Sequence, residues 1–245
     1  MTAPAHPLHA PPDLQGNFTR NLTRTRIKIC GLTRAQDVDA AVEAGADAVG
    51  FVRYPQSPRH VSIEKAAELA RRLPPFVTPV LLYVNESPAA VAADLAHMPQ
   101  ALLQFHGDES PAQCLEAAAG RPFLRAARIP LDPGAGFDLL AFAQNYSSAQ
   151  AILLDAHVDG FGGAGKAFDW SRIPTNVNAH LVLSGGLTPA NVGDGIAQVR
   201  PRAKTLAVDV SSGVESAKGI KDAVKIAQFV AAVRAADTHL ANRPD

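Results

Sequence analysis

The sequence of 245 residues is poor in cysteine, in net charge and in long apolar runs. Its two cysteines, Cys30 and Cys114, argue against a disulfide scaffold and fit a reducing, cytoplasmic location. No cysteine or histidine group has the spacing of a zinc site, so no metal is predicted. Basic and acidic residues balance at 23 each, which argues against nucleic acid or an anionic membrane as a partner. No apolar run approaches the ~20 residues of a membrane-spanning helix.

Hydrophobic residues make up 47% of the chain, which is enough for a large core. Residues 1–23 are rich in Pro, Ala and His without periodicity, and we expect a disordered extension there. From Arg26 onward, β-branched segments alternate with alanine-rich segments whose apolar residues recur at intervals of three and four. Residues 24–245 therefore form the predicted folded domain.

Eight strands are predicted in this domain: Ile27–Cys30, Ala48–Val52, Pro79–Val84, Ala101–Phe105, Phe123–Ala127, Ala151–Leu154, His180–Leu183 and Leu206–Val208. The predicted helices are Ala35–Ala44, Ile63–Leu73, Pro88–His97, Pro111–Ala119, Gly136–Asn145, a short one at Asp169–Ile173, Pro189–Gln198 and Ile220–Ala236. Hydroxyl residues predicted to cap helices are Ser62, Ser87, Ser110 and Thr188.

This alternation, at roughly 25 residues per unit, indicates the α/β class and a single (β/α)8 TIM barrel. The main rival is an open doubly wound sheet. Such a sheet would place a GxGxxG fingerprint after the first strand, where this chain reads CGLTR.

In a barrel, polar side chains at the strand C-termini meet at one rim and form the site. We expect this ring to contain Cys30, Arg59, Asn85, His106, Arg125, Asp155, the turn 184–186 and the segment 209–213. The SGGL turn after the seventh strand and the DVSSGVE turn after the eighth stand where such barrels often bind phosphate. Their glycines let backbone N–H groups approach an anion closely.

Cys30 and Asp155 are the candidate base and acid. A free cysteine is most often a small buried hydrophobe, and we interpret Cys114 in that way. Cys30 differs because it ends a strand at the rim. A thiol is only about 3% ionised at pH 7, so a base there needs positive potential from backbone amides, Lys28 or Arg59. Asp155 follows four apolar residues and belongs at a strand mouth, although a loop or cap carboxylate is the alternative.

Two further features stay open at this point. The glycine-rich segment GFGGAGKAFDW is either a lid or a phosphate cradle, with Lys166 a ligand contact or a solvated lysine and Asp169 a helix cap. Arg59 either grips a carboxylate through paired hydrogen bonds or lies on the surface.

Six motifs in order resemble the phosphoribosylanthranilate isomerase family of tryptophan biosynthesis. They are KICGLT, GADAVGFVRYPQSPRHVS, LLQFHGDE, ILLDA with GGAGKAFDW, LVLSGGLTPANV and AVDVSSGVESAKGIKD. The resemblance covers nearly everything from Arg26 to the last helix. It implies a cofactor-free Amadori rearrangement of N-(5'-phosphoribosyl)anthranilate to 1-(o-carboxyphenylamino)-1-deoxyribulose 5-phosphate.

The resemblance also implies roles for individual residues. Cys30 would be the general base and Asp155 the general acid. Arg59 would hold the anthranilate carboxylate, while His106 and Asp209 would contact substrate. The phosphate cradle would consist of Gly185, Gly186, Ser211, Ser212 and Gly213. The only partner implied is this small phosphosugar, and the chain could be a monomer or a homodimer.

Two rival hypotheses remain: another phosphate-binding barrel enzyme, and a barrel that binds a phosphometabolite without catalysis. Indole-glycerol-phosphate synthases and sugar-phosphate epimerases share phosphate-binding barrels, but the former use a lysine acid and the latter metal-binding histidines or paired aspartates. A non-catalytic phosphometabolite-binding barrel would not need both Cys30 and Asp155.

Overall fold

The strands of the computed structural model, which describes residues 24–157 and 167–242, form a closed parallel barrel. Its strands are β1 (Arg26–Cys30), β2 (Ala48–Val52), β3 (Thr78–Tyr83), β4 (Leu102–Phe105), β5 (Phe123–Pro130), β6 (Ala151–His157), β7 (Leu181–Leu183) and β8 (Leu206–Val210). Each strand pairs with the next, and β8 pairs with β1. The predicted (β/α)8 barrel is confirmed. The predicted extension and most of the glycine-rich segment, with Lys166, lie outside the described residues.

Helices on the outside of the barrel connect the strands. They are α1 (Ala35–Ala44), α2 (Ile63–Ala70), α3 (Pro88–His97), α4 (Pro111–Ala118), α5 (Leu139–Asn145), α6 (Val192–Val199) and α7 (Ala223–Ala241). The predicted caps Ser62, Ser87 and Ser110 each accept a hydrogen bond from the backbone N–H three residues later. Asp169 caps a short 3-10 helix at Trp170–Arg172, as predicted.

Several helices begin later than predicted. Thr188 is not a cap, because Asn191 accepts a hydrogen bond from the Thr188 backbone and the helix begins only at Val192. Asp138 caps α5, which starts three residues after the predicted Gly136. The predicted start of the last helix is also wrong: Ile220–Lys221 pairs with Glu215–Ala217 in a small hairpin, and Asp222 caps α7. The side-chain oxygens of Asp138 and Asp222 set the last two boundaries, whereas the Asn191 side chain makes no cap hydrogen bond to α6.

Side chains along each strand alternate between the helices and the barrel interior. In β1, Ile27 and Ile29 pack into the main core against the helices, whereas Lys28 and Cys30 point inward. The lower interior is a small apolar cluster of Leu124, Ala126, Ala151, Leu153 and Val182. Cys30, at the end of β1, and Asp155, beyond Leu153 on β6, lie on the C-terminal side of this cluster.

The last helix is attached to the start of the barrel through Thr25. Its backbone N–H and hydroxyl donate to the two carboxylate oxygens of Asp237 at 2.8 and 2.6 Å. Arg200 donates to both Asp237 and the Thr25 hydroxyl. This connection joins α7 to the residue before β1 and closes the N-terminal end of the fold.

Candidate active site

Cys30 ends β1 with its side chain inside the barrel and only 4% of its surface exposed. Its sulfur lies against Gly50 of β2, where an added Cβ would stand 2.7 Å from Sγ and 3.2 Å from Cε of Lys28. Cys30 and Lys28 are therefore neighbours on the inner face. The ammonium of Lys28 lies 2.8 Å from Oδ1 of Asp209. The thiol is thus placed between an apolar wall and a buried ion pair.

The charged groups around the thiol have opposing effects on its pKa. Burial raises the pKa of the Cys30 thiol, the Lys28 ammonium counteracts part of this, and the Asp209 carboxylate adds to it. Burial alone would lower the pKa of Lys28, but Asp209 and Cys30 outweigh it and hold that pKa above its ordinary value. Lys28 therefore keeps its positive charge and favours the thiolate. Cys114 is buried in the core as predicted, and burial raises its pKa to about 11.

Asp155 lies near the C-terminal end of β6, also inside the barrel and 6% exposed. Its Oδ2 is 2.9 Å from Nε2 of His106, which follows β4 directly. Nδ1 of His106 is in turn 3.0 Å from the amide nitrogen of Gln104, a fully buried residue. Sequence reasoning missed Gln104, although its position two residues before His106 puts both on the same face of the strand.

The two glycine-bearing turns lie against each other and against Asp155. A Cβ on Gly213 would come within 1.9 Å of the Leu187 carbonyl oxygen, so the two loops touch through their backbones. Gly185 has a φ of 75°, and a Cβ there would be 2.9 Å from Oδ1 of Asp155. Ser211 accepts two hydrogen bonds from the ammonium of Lys221. The predicted phosphate turns therefore form one continuous surface beside the candidate acid.

Arg59 is buried beside this surface, and its partner was not predicted. Its Nε and Nη2 donate to the carboxylate oxygens of Glu215 at 2.7 and 2.9 Å, and Lys221 donates to the same carboxylate. Burial alone would raise the pKa of Glu215, but Arg59 and Lys221 hold it below its ordinary value. Arg59 also lies next to Gly31, where a Cβ would be 2.5 Å from its Cδ. The available signal for Glu215 was the glutamate of DVSSGVE.

The profile of the family described as N-(5'phosphoribosyl)anthranilate (PRA) isomerase matches residues 27–232. The chain belongs to the N-(5'-phosphoribosyl)anthranilate isomerase family. It is an enzyme that carries out this isomerisation in tryptophan biosynthesis.

Individual relatives agree with the family match. The N-(5'-phosphoribosyl)anthranilate isomerase of Leptothrix cholodnii is 68% identical over 214 residues, which are 87% of this chain and 93% of that protein. A solved structure of mutually generated monomers of the dimeric enzyme from Thermotoga maritima is 37% identical, with a TM-score of 0.73 over 86% of this chain and 99% of that one. A family structure in complex with reduced 1-(o-carboxyphenylamino)-1-deoxyribulose 5-phosphate is 38% identical, with a TM-score of 0.72 and the same coverages.

One predicted rim residue of this isomerase faces the other way. Arg125 points out of the barrel, where its guanidinium lies 4.8 Å from the ring centre of Tyr146 and donates to the carbonyls of Phe105 and Gly107. The strand continues to Pro130, so the inward-facing arginine near the rim is Arg128, which is in register with Asp155. The prediction for Arg125 was wrong because the strand was ended too early.

The described residues of this isomerase, 24–157 and 167–242, include neither a candidate metal site nor a membrane-spanning helix. Those residues contain no group of three or more His, Cys, Asp or Glu that could hold a metal ion. None of their helices is both long and apolar enough to cross a bilayer.

Proposed function

We propose that Asp155 and Cys30 catalyse the isomerisation as general acid and general base. Asp155 gives a proton to the ribose ring oxygen, the ring opens to an iminium, and the Cys30 thiolate removes the proton from C2. The resulting enolamine tautomerises to the ketone, 1-(o-carboxyphenylamino)-1-deoxyribulose 5-phosphate. The observation that carries the proposal is that both side chains are buried and point into the barrel at strand C-termini, from β1 and β6.

The phosphate of the substrate would bind at Gly185, Gly186, Ser211, Ser212 and Gly213. The contact between Gly213 and the Leu187 carbonyl supports this, because it joins the two turns into one surface. Positive φ values at Gly185 and Gly186, 75° and 65°, support backbone amides turned toward an anion. The short 3-10 helix that starts at Ser212 presents a further backbone end to the same surface.

Arg59 would bind the anthranilate carboxylate. The Nε and Nη2 atoms of Arg59 donate to Glu215, and its Nη1 makes no hydrogen bond with a described residue. Glu215 thus orients the guanidinium while leaving one edge for substrate. His106 would contact substrate while it is hydrogen-bonded to Asp155. Asp209 would contact substrate while it is paired with Lys28.

The test of this mechanism is the loss of phosphoribosylanthranilate fluorescence with purified Cys30→Ser and Asp155→Asn. Each variant should lose several orders of magnitude in kcat while KM changes little, because each removes a proton-transfer group. Cys114→Ser is the matched control and should keep wild-type kcat, since Cys114 lies on α4 and is buried in the core between the helices and the barrel. Activity of Asp155→Asn within tenfold of wild type would remove Asp155 from the acid role.

The proposed assembly is a homodimer, and the proposed location is the cytoplasm. Phe76 is fully exposed and held at a φ of 71°, beside a cavity of about 550 Å³ at the N-terminal end of the barrel. The cavity has charged side chains such as Arg26 and Asp47 as well as the apolar Val80, Leu102 and Leu124, and the proposal is that a second copy buries its own Phe76 against this apolar part. Light scattering should give twice the chain mass for wild type and a single chain mass for Phe76→Ser. A monomeric wild type would contradict the dimer.

The proposed catalytic unit is residues 24–245, without residues 1–23. The family match begins at residue 27, and the attachment of Thr25 to Asp237 begins the described fold. A chain starting at residue 24 should retain wild-type kcat and KM. A large loss of activity on truncation would give the extension a catalytic role.

A further inference from the structure

A row of three buried polar side chains leads along the barrel interior to the proposed acid. Gln104 and His106 lie on β4 and directly after it, and Asp155 lies on β6. The contacts are 3.0 Å from the Gln104 amide nitrogen to Nδ1 and 2.9 Å from Nε2 to Asp155. Among the described residues, the amide oxygen Oε1 of Gln104 has no hydrogen-bond partner. A buried amide oxygen without a partner is costly, so this position requires an explanation.

The orientation of this amide fixes the proton positions in the row. An amide nitrogen only donates, so Nδ1 of His106 accepts and the ring proton lies on Nε2. Nε2 then donates to Asp155, which is its ionised form. If the Gln104 amide rotates by about 180°, its Oε1 instead accepts a hydrogen bond from Nδ1–H of His106. Nε2 then becomes an acceptor and pairs with a protonated Asp155.

These two arrangements differ by one proton, which is exchanged with solvent. The proposed reaction starts from the arrangement in which Asp155 is protonated. Once the proton has moved to the ribose ring oxygen, Asp155 is ionised and the other arrangement results. The unpartnered oxygen of Gln104 is the atom that the protonated arrangement would use.

We propose that Gln104 is a positioning residue for the acid step: with its amide rotated so that Oε1 accepts from Nδ1–H, it holds His106 in the tautomer whose Nε2 accepts the proton of Asp155. The inference rests on the proposed acid role of Asp155. Gln104 itself does not touch the reacting atoms, since His106 lies between it and Asp155.

Other charged groups on the inner side of the barrel lie on β5, β1 and β8 and in the loop after β4. Arg128 on β5 is in register with Asp155, and Asp108 in the loop after β4 lies 3.7 Å from Arg128. Lys28 on β1 and Asp209 on β8 neutralise each other. The ionisable side chain in direct hydrogen-bond contact with Asp155, among the described residues, is His106.

The test compares two substitutions of similar size, Gln104→Met and Gln104→Glu, in pH profiles of kcat. Gln104→Met removes the acceptor for Nδ1–H. We expect kcat at neutral pH to fall about tenfold to a hundredfold, KM to stay within twofold, and the alkaline limb to move to lower pH. Gln104→Glu keeps an acceptor, so its alkaline limb should stay at the wild-type position or move to higher pH. Gln198→Met, on an exposed face of α6, should match wild type.

A merely structural Gln104 would give the opposite order, because burying a carboxylate disturbs packing more than a methionine does. The inference is overturned if Gln104→Glu is worse than Gln104→Met, or if the alkaline limb of Gln104→Met is unchanged. Nitrogen-15 NMR of the His106 ring should show an altered tautomer balance in Gln104→Met, and an unaltered balance would also overturn it. Asp155→Asn separates the two proposals: if it stays active, the acid role itself fails, whatever Gln104 does.

Discussion

Removing the positive charge beside Cys30 should shift the acid limb of the activity profile toward higher pH. Lys28 shares the inner face of β1 with Cys30, and its ammonium counteracts the effect of burial on the pKa of the thiol. Lys28→Met removes that ammonium and leaves the Asp209 carboxylate, which disfavours the thiolate. The acid limb of the kcat/KM profile, which reports thiolate formation in the free enzyme, should therefore move upward.

The size of the shift follows from charge separation. Two unit charges about 4 Å apart at an effective dielectric constant of about 20 interact by roughly 4 kcal/mol. One pH unit corresponds to about 1.4 kcal/mol, so we expect the acid limb to move by on the order of 2 to 3 pH units. In Lys28→Met/Asp209→Asn the repelling carboxylate is also removed, so the shift should be smaller.

The measurement is kcat/KM by the fluorescence assay over a pH series, together with an ultraviolet titration of the thiolate. Lys204→Met, at an exposed lysine before β8, is the control. Because Lys28→Met leaves a buried carboxylate unpaired, thermal unfolding checks that the variant is folded; the double variant should be the more stable of the two. An acid limb within about 0.3 pH units of wild type in Lys28→Met would refute the argument.

Three further predictions concern stability and the anion site. Asp237→Ala should lower the free energy of unfolding by about 2–3 kcal/mol in urea titrations, because it leaves the buried N–H and O–H donors of Thr25 without their acceptor; a loss below about 0.5 kcal/mol would contradict this. Gly213→Ala should raise KM more than tenfold with kcat within threefold, since its Cβ would clash with the Leu187 carbonyl oxygen; unchanged KM would separate the turns from phosphate binding. Because the folded pKa of Glu215 is lowered, its contribution to stability is present above its unfolded pKa of about 4.3 and is lost as pH falls below it. In Glu215→Gln, unfolding free energies measured down to pH 3 should fall less steeply than in wild type.

Much of the fold could be predicted because it depends on local patterns. Alternating β-branched and alanine-rich segments predict the order of strands and helices, and serines before proline predict helix starts at Ser87 and Ser110. Boundaries were less accurate where an Asp further along the chain caps the helix, as Asp138 and Asp222 do, or where a turn precedes the helix, as between Thr188 and Asn191. The predicted direction of the Arg125 side chain was wrong. Strand alternation tells inward-facing from outward-facing residues only when both ends of the strand are known.

The site shows the same division between local and distant information. A barrel brings its strand C-termini together, which suffices to place Cys30 and Asp155 on the inner face. The ion pairs that surround them join residues far apart in sequence: Lys28 and Asp209 are 181 positions apart, and Arg59 and Glu215 are 156 apart. Closure of the barrel and its loops creates those pairs, and no short pattern in the sequence encodes them.

The most direct measurement is a crystal structure of the Asp155→Asn variant with phosphoribosylanthranilate or its reduced product bound. The account predicts Sγ of Cys30 within about 3.5 Å of the sugar C2, and the side chain at position 155 within hydrogen-bond reach of the oxygen on C4. It also predicts the phosphate on the turns at 185–186 and 211–213. A bound sugar whose C2 lies beyond the reach of Sγ would contradict the proposed mechanism.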